Sequence, residues 1–157
     1  MGLRKIISGG QTGADIAGLE VAKKFGLETG GMMPFGFKTN TGCRPKYKLE
    51  YGVTIHKSSS YIPRTRANVR DSDGTIRLAF DFDSAGELCT LKAIKVYEKP
   101  HIDVNLADPR PVSEVAAWLE ENGIEVLNVA GNAEQTSVGT HEATTQYLEE
   151  LIEHIGD

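Results

Sequence analysis

The sequence predicts an α/β fold, a three-layer sandwich with a mainly parallel sheet of about five strands and helices on both faces. Three observations carry this. Short apolar, strand-like runs alternate along the chain with segments whose apolar residues recur at helical spacing, as right-handed β-α-β units require. The run Ile124-Glu125-Val126-Leu127-Asn128-Val129-Ala130 has the apolar character of a parallel strand covered on both faces. Glycine turns stand at three strand-to-helix junctions: Ser8–Asp15, Ser84–Gly86 and Gly131–Gly139.

Leu3 to Ile7 reads as the first strand, and the helix after it carries Ile16, Leu19, Ala22 and Phe25 on one face. Gly26 is its expected cap, and Leu27 begins a second strand expected to run through Gly30-Gly31-Met32-Met33 to Pro34. From Pro34 to about Ser58, Gly36, Asn40, Gly42, Pro45 and Gly52 break any period. An irregular basic insertion at about 34–70 is therefore expected, with a short strand near Val53–Ile55 and a short helix within Ser59–Arg70. The interleaved aromatics Phe35, Phe37, Tyr47, Tyr51 and Tyr61 argue that it is ordered, and a lid over a ligand suits a loop of this length.

Asp71-Ser72-Asp73-Gly74 makes a turn before the strand Thr75–Phe80, and the Ser84-Ala85-Gly86 turn leads into a helix reaching Tyr97. His101 to Leu106 is the next strand. Pro111 opens a helix striped by Val112, Val115, Ala116 and Leu119 and closed by Asn122-Gly123. After the Ile124–Ala130 strand, a last helix turns Leu148, Leu151, Ile152 and Ile155 to the core. With no internal repeat in 157 residues, one domain spanning 1–157 is expected.

Composition narrows the function. The chain is 39% hydrophobic and 25% charged, with no apolar run long enough for a membrane span, so a cytoplasmic protein is expected. Cys43 and Cys89, like the four histidines, lack ligand-like spacing, so no disulfide framework and no structural metal is expected. Between Phe35 and Arg70 stand eight basic residues and one acidic residue, Glu50, giving +7 there and −12 elsewhere for a net −5. That asymmetry fits a local anionic small-molecule ligand, or pairing with the acidic helices or a second subunit. Nucleic acid is not an expected partner of so acidic a chain.

The first glycine turn is the chief candidate site. N–H groups at a helix start lack intrahelical acceptors and carry the positive end of the helix dipole, so they favour an anion. Glycines there let the backbone approach a ligand oxygen. Ser8, Gly10 and Gly13 fall on the glycine positions of the dinucleotide fingerprint, but its first glycine and its later acidic residue are missing. No Lys-Ser/Thr follows, which excludes a Walker loop. Gly9, Gly10, Gln11, Thr12 and Gly13 are thus expected at an anion site, with tight strand–helix packing as the plain alternative for the glycines. Thr12 can hydrogen-bond a phosphate, and Asp15 either caps the helix or contacts a sugar or amine. Arg64, with its guanidinium fork, is the favoured basic contact.

The stretches Ile7–Asp15, Thr29-Gly30-Gly31, Arg64–Val69, Ser72–Thr75, Lys99-Pro100, Ala117-Trp118-Leu119 and Leu127–Gly131 together resemble the family of molybdenum-cofactor carriers. This is a circularly permuted, YpsA-like group in the nucleotide-binding SLOG branch of Rossmann-like proteins. The resemblance covers essentially the whole chain. It implies a Rossmann-like fold and a carrier of the molybdenum cofactor (molybdopterin) or of a nucleotide-like anion, non-catalytic and expected as a homo-oligomer. The alternative is a nucleotide-processing hydrolase cleaving an N-glycosidic bond, with Asp15, Asp73 and Glu142 as acid–base candidates. On this resemblance Thr65, Ser72, Asp73, Gly74, Thr75, Gly86, Thr90 and Gly131 join the expected ligand contacts, although Ser72, Asp73 and Thr75 equally suit simple turn chemistry. The chain departs from the family pattern Gly-Gly-Thr-x-x-Thr, carrying Ala85-Gly86-Glu87-Leu88-Cys89-Thr90.

Overall fold

The structure is a computed structural model, and it describes residues 2–156. In chain order, β1 (Lys5–Ile7), α1 (Ala14–Lys24) and β2 (Glu28–Gly30) lead into β3 (Met32–Met33). A 3₁₀ turn at Phe35–Phe37 is followed by β4 (Lys38–Thr39), β5 (Gly42–Cys43), α2 (Tyr47–Tyr51), β6 (Thr54–Ile55) and α3 (Tyr61–Arg70). Then come β7 (Gly74–Ala79), α4 (Ala85–Tyr97), β8 (His101–Asn105), α5 (Val112–Glu121), β9 (Val126–Gly131) and α6 (Thr140–Gly156).

Five strands form one sheet in the order β2-β1-β9-β7-β8, parallel at every pairing. Helices α1, α5 and α6 pack together on one face, and α3 and α4 on the other, giving a Rossmann-like three-layer fold. The main core lies between the sheet and the α1, α5 and α6 layer: Ile6, Ile76, Leu78, Val104, Leu127 and Val129 meet Val21, Val115, Leu148 and Leu151. Close approach of α1 to the sheet depends on Gly18, where a Cβ would stand 2.8 Å from Val129.

The structure corrects the sequence reading in two places. The second strand does not run on to Pro34. It breaks at Gly31, whose φ of 121° only glycine adopts readily and which passes tightly against Ser8. Beyond the break, β3 leaves the main sheet and pairs with β6 in a separate two-stranded ribbon.

The insertion holds the expected short strand, β6, and helix, α3, but also β4, β5 and α2, which the broken period hid. Met33, Tyr51 and Val53 build a second small core with Leu19 of α1, and Tyr47 and Tyr51 meet edge to face at 5.4 Å. Its helix α3 starts at Ser60, whose Oγ accepts the Ile62 N–H at 3.4 Å. Pro63 stands in the first turn, where a missing N–H costs nothing. No helix among the described residues is long and apolar enough to cross a membrane.

Candidate ligand-binding site

The chain leaves β1 for β2 on one side and β7 for β8 on the other, so the connections diverge above β9. Parallel sheets place ligands at such a divergence, beyond the carboxyl ends of their strands. A cavity of about 430 Å³ lies there, within the usual range for small-molecule sites. The β1–α1 turn, the start of α4, the end of β9 and helix α3 form its walls.

Of the expected contacts, Gly9, Gln11, Thr12, Asp15, Arg64 and Thr65 line this cavity. Gly86, Thr90 and Gly131 line it as well. All three glycine turns therefore border one space, and the basic insertion supplies a wall through α3.

Arg64 organises that wall. Its Nη1 lies 3.3 Å from Asp15 Oδ2, and its Cζ is 5.5 Å from the centroid of the Tyr61 ring. The guanidinium rests on Gly9, where a Cβ would stand 1.8 Å from Nη1. Asn68 holds α3 in place by a double clasp on Met32, its Oδ1 accepting the N–H at 2.8 Å and its Nδ2 donating to the carbonyl at 3.0 Å. Asp15 is no helix cap: that position falls to Gly13. Its carboxylate instead accepts the Gln11 N–H at 3.3 Å. Burial raises the Asp15 carboxyl above the ordinary carboxylate range, against the pull of Arg64.

The opposite wall holds a second buried acid. Glu87, in the first turn of α4, is 2% exposed, and Ser84 Oγ accepts its N–H at 3.4 Å. Arg77 of β7 lies nearby but is committed elsewhere. It makes a bidentate pair with Asp103 at 2.8 and 2.6 Å, while its Nη1 donates to the Glu87 carbonyl at 3.3 Å. The closest approach of Arg77 to the Glu87 carboxylate, Nη1 to Oε1, is 3.9 Å. Burial pushes the Glu87 carboxyl up to about 7; Arg77 pulls it down, and Asp15 pushes it further up.

Three buried side-chain atoms on these walls have no hydrogen-bond partner: Gln11 Oε1, Arg64 Nε and Glu87 Oε1. Native proteins satisfy such atoms almost without exception, and only two further ones, on Thr144 and Thr145, occur among the described residues. Two acceptors and a donor without partners thus belong to residues that line one cavity.

Six expected contacts lie elsewhere. Gly10 has φ 67°, and a Cβ there would stand 2.8 Å from Met33 Sδ; at Gly13, φ 82°, it would stand 2.2 Å from the Asn132 carbonyl. Both glycines serve packing of the protein against itself, the plain alternative. Ser72, Asp73 and Gly74 sit where β7 begins, at the amino edge of the sheet. There Asp73 Oδ2 accepts the Glu125 and Val126 N–H groups at 3.0 and 2.9 Å, and Ser72 Oγ donates to the Val69 carbonyl. Thr75 is fully buried and accepts Asn128 Nδ2 at 3.2 Å, one layer behind the cavity wall. Glu142 is exposed. Of the eight basic residues in the insertion, Arg64 alone lines the cavity.

Sequence reasoning missed several wall residues. Asn132 is buried and bridges loops, its Oδ1 accepting the Phe80 and Asp81 N–H groups at 2.9 and 3.0 Å. Nothing in local sequence announces that bridge. Glu87 has a sequence signal, a carboxylate three residues after a serine at a helix start, although by sequence it stands only within a departure from the family pattern. The last glycine loop also closes on itself. Glu134 accepts the Gly139 N–H at 2.7 Å and the His141 N–H at 2.9 Å, and these bonds hold its carboxyl below the usual range. It thereby occupies the anion position at the start of α6. No group of three or more His, Cys, Asp or Glu side chains that could hold a metal ion occurs among the described residues.

A cavity over the divergence of a parallel sheet, bordered by three glycine turns, defines a Rossmann-like α/β protein with its site at the usual edge. The chain belongs to the circularly permutated YpsA SLOG family, whose model matches residues 6–152. It is similar to the crystal structure of a candidate molybdenum carrier protein from Syntrophus aciditrophicus SB, at 33% identity and a TM-score of 0.89 over 96% of both chains. No curated protein matches it at a significant level.

Proposed function

We propose that this protein binds and carries a small anionic heterocyclic ligand, of molybdopterin or nucleotide type, in the cavity above β9. One observation carries the reading: Gln11 Oε1, Arg64 Nε and Glu87 Oε1, all buried and without a hydrogen-bond partner, belong to residues that line a single cavity. Such atoms fit a ligand presenting both hydrogen-bond donors and an acceptor or anion. Arg64 is the group to meet the anion, since a guanidinium pairs phosphate bidentately. Gly9, Gln11, Thr12, Asp15, Thr65, Gly86, Thr90 and Gly131 complete the walls. The likeness to a candidate molybdenum carrier supports molybdopterin as a ligand.

Mass spectrometry of small molecules released by denaturing the gel-filtered protein tests this. A stoichiometric pterin or nucleotide is the expected result. Protein that carries none, and retains neither when incubated with nucleoside monophosphates or a pterin phosphate, overturns it.

A second reading has one observation in its favour. Asp15 and Glu87 are two carboxyls of raised pKa in the same cavity, the property that general acid catalysis at an N-glycosidic bond requires. Release of free base from nucleoside monophosphates, stopped by Asp15→Asn, would establish it. No turnover across the panel would dismiss it.

A further inference from the structure

The α4 wall is built to accept hydrogen bonds. Glu87 is 2% exposed, its Oε1 has no hydrogen-bond partner, and the nearest guanidinium, Arg77 at 3.9 Å, pairs with Asp103 instead. The hydroxyls beside it are oriented the same way. Thr90 Oγ1 donates to the Gly86 carbonyl at 3.1 Å, and across the cavity Thr65 Oγ1 donates to the Tyr61 carbonyl at 2.9 Å. With their protons so engaged, both oxygens offer lone pairs to a ligand. Gln11 Oε1 adds another acceptor, while its Nε2 is used on the Gly9 and Lys38 carbonyls. The Glu87 carboxylate on that wall repels a phosphate, whereas a ring edge rich in N–H groups can donate to it.

We propose that Glu87 reads the heterocycle, its carboxylate accepting in parallel the ring N–H and the exocyclic amino N–H of a 2-amino-4-oxopyrimidine edge, the edge shared by guanine and pterin. The inference rests on the cavity reading above and adds the ligand's base to it. Two adjacent donors at the spacing of two carboxylate oxygens make a bidentate, charge-assisted pair. Hypoxanthine keeps the ring N–H but lacks the amino group. Adenine sets an amino group beside a bare ring nitrogen, which a carboxylate repels. Burial that has pushed the Glu87 carboxyl up to about 7 leaves its charge short of partners, and such an N–H pair supplies them.

Equilibrium titration of the purified protein with GMP, IMP, AMP and neopterin monophosphate, repeated on Glu87→Gln, tests this. GMP and neopterin monophosphate are expected to bind at least about tenfold tighter than IMP, the worth of one further hydrogen bond to a charged group. AMP should bind weakest. In Glu87→Gln, which keeps the side chain's shape, GMP should fall to within about twofold of IMP, with IMP changed far less. The tighter of GMP and neopterin monophosphate identifies which ring system the cavity takes. Equal wild-type affinities for GMP and IMP, or a GMP preference that survives in Glu87→Gln, would overturn the role of Glu87 and leave the cavity reading standing. Failure of all four probes to bind would overturn the cavity reading, and this inference with it.

Discussion

Arg64 Nη1 lies 3.3 Å from Asp15 Oδ2, and the guanidinium fills the space that a side chain on Gly9 would occupy. The glycine is there for the arginine. A Cβ at position 9 would stand 1.8 Å from Nη1 and 2.9 Å from Asp15 Oδ2, so the pair and the glycine form one unit.

Gly9→Ala is therefore expected to expel the guanidinium and destabilise the protein by about 1–3 kcal/mol, the range for overpacking a tight site. In an Arg64→Ala background the same change should cost much less, because the obstructing group is gone. Chemical denaturation of both singles and the double variant measures this coupling. Additive losses would show that Gly9 and Arg64 act independently.

Gly10 behaves differently from its neighbour. With φ 67° and Met33 Sδ 2.8 Å from a would-be Cβ, Gly10→Val should be a folding defect. A β-branched residue in the left-handed region costs about 1–2 kcal/mol before any clash is counted. Thermal melting should show the loss, while the folded fraction keeps its affinity for GMP. Wild-type stability with binding abolished would place Gly10 in the site instead.

Glu87 sets a pH dependence with a definite sign. The folded carboxyl titrates near 7, against 4.5 for the ordinary group. Between those values the folded protein holds a proton that the unfolded chain has released, so stability falls as pH rises. The contribution is fully present below about pH 4.5 and lost above about pH 7, on the order of 3 kcal/mol. Other carboxylates act oppositely in acid, so the comparison that isolates it is wild type against Glu87→Gln. The variant should gain stability relative to wild type from pH 5 to pH 8. A constant difference across that range would mean that Glu87 stays ionised.

The architecture was legible because periodicity reports burial, and burial decides layers. The strand at Thr75–Phe80 and the helix striped by Val115 and Leu119 come directly from that rule. What the sequence hid were relationships between distant residues. The β2–β3 break at Gly31 depends on contact with Ser8, and the order of the insertion depends on Met33, Tyr51 and Val53 meeting Leu19. The site was half legible for the same reason. A glycine turn announces that backbone and something else approach closely, yet not what approaches: a guanidinium at Gly9, a thioether at Gly10, a carbonyl at Gly13. Ser72–Gly74 carry a turn motif, and only the strand direction shows that it lies at the far edge of the sheet. Arg64 was recognisable as a rigid basic fork beside proline, whereas Asn68 and Asn132 act through backbone groups 36 and 52 residues away.

In the function proposed above, Arg64 meets the ligand's anion in the cavity above β9. Isothermal titration of wild type, Arg64→Ala and Lys46→Ala with GMP and with guanosine decides whether it does. Arg64→Ala should weaken GMP by about 1.5–3 kcal/mol, as expected for a hydrogen bond to a charged group, and should leave guanosine, which lacks the phosphate, nearly unchanged. Lys46, exposed and away from the cavity, should cost less than about 0.5 kcal/mol through screened charge alone. Equal small losses for the two variants, or undiminished GMP affinity in Arg64→Ala, would contradict the account.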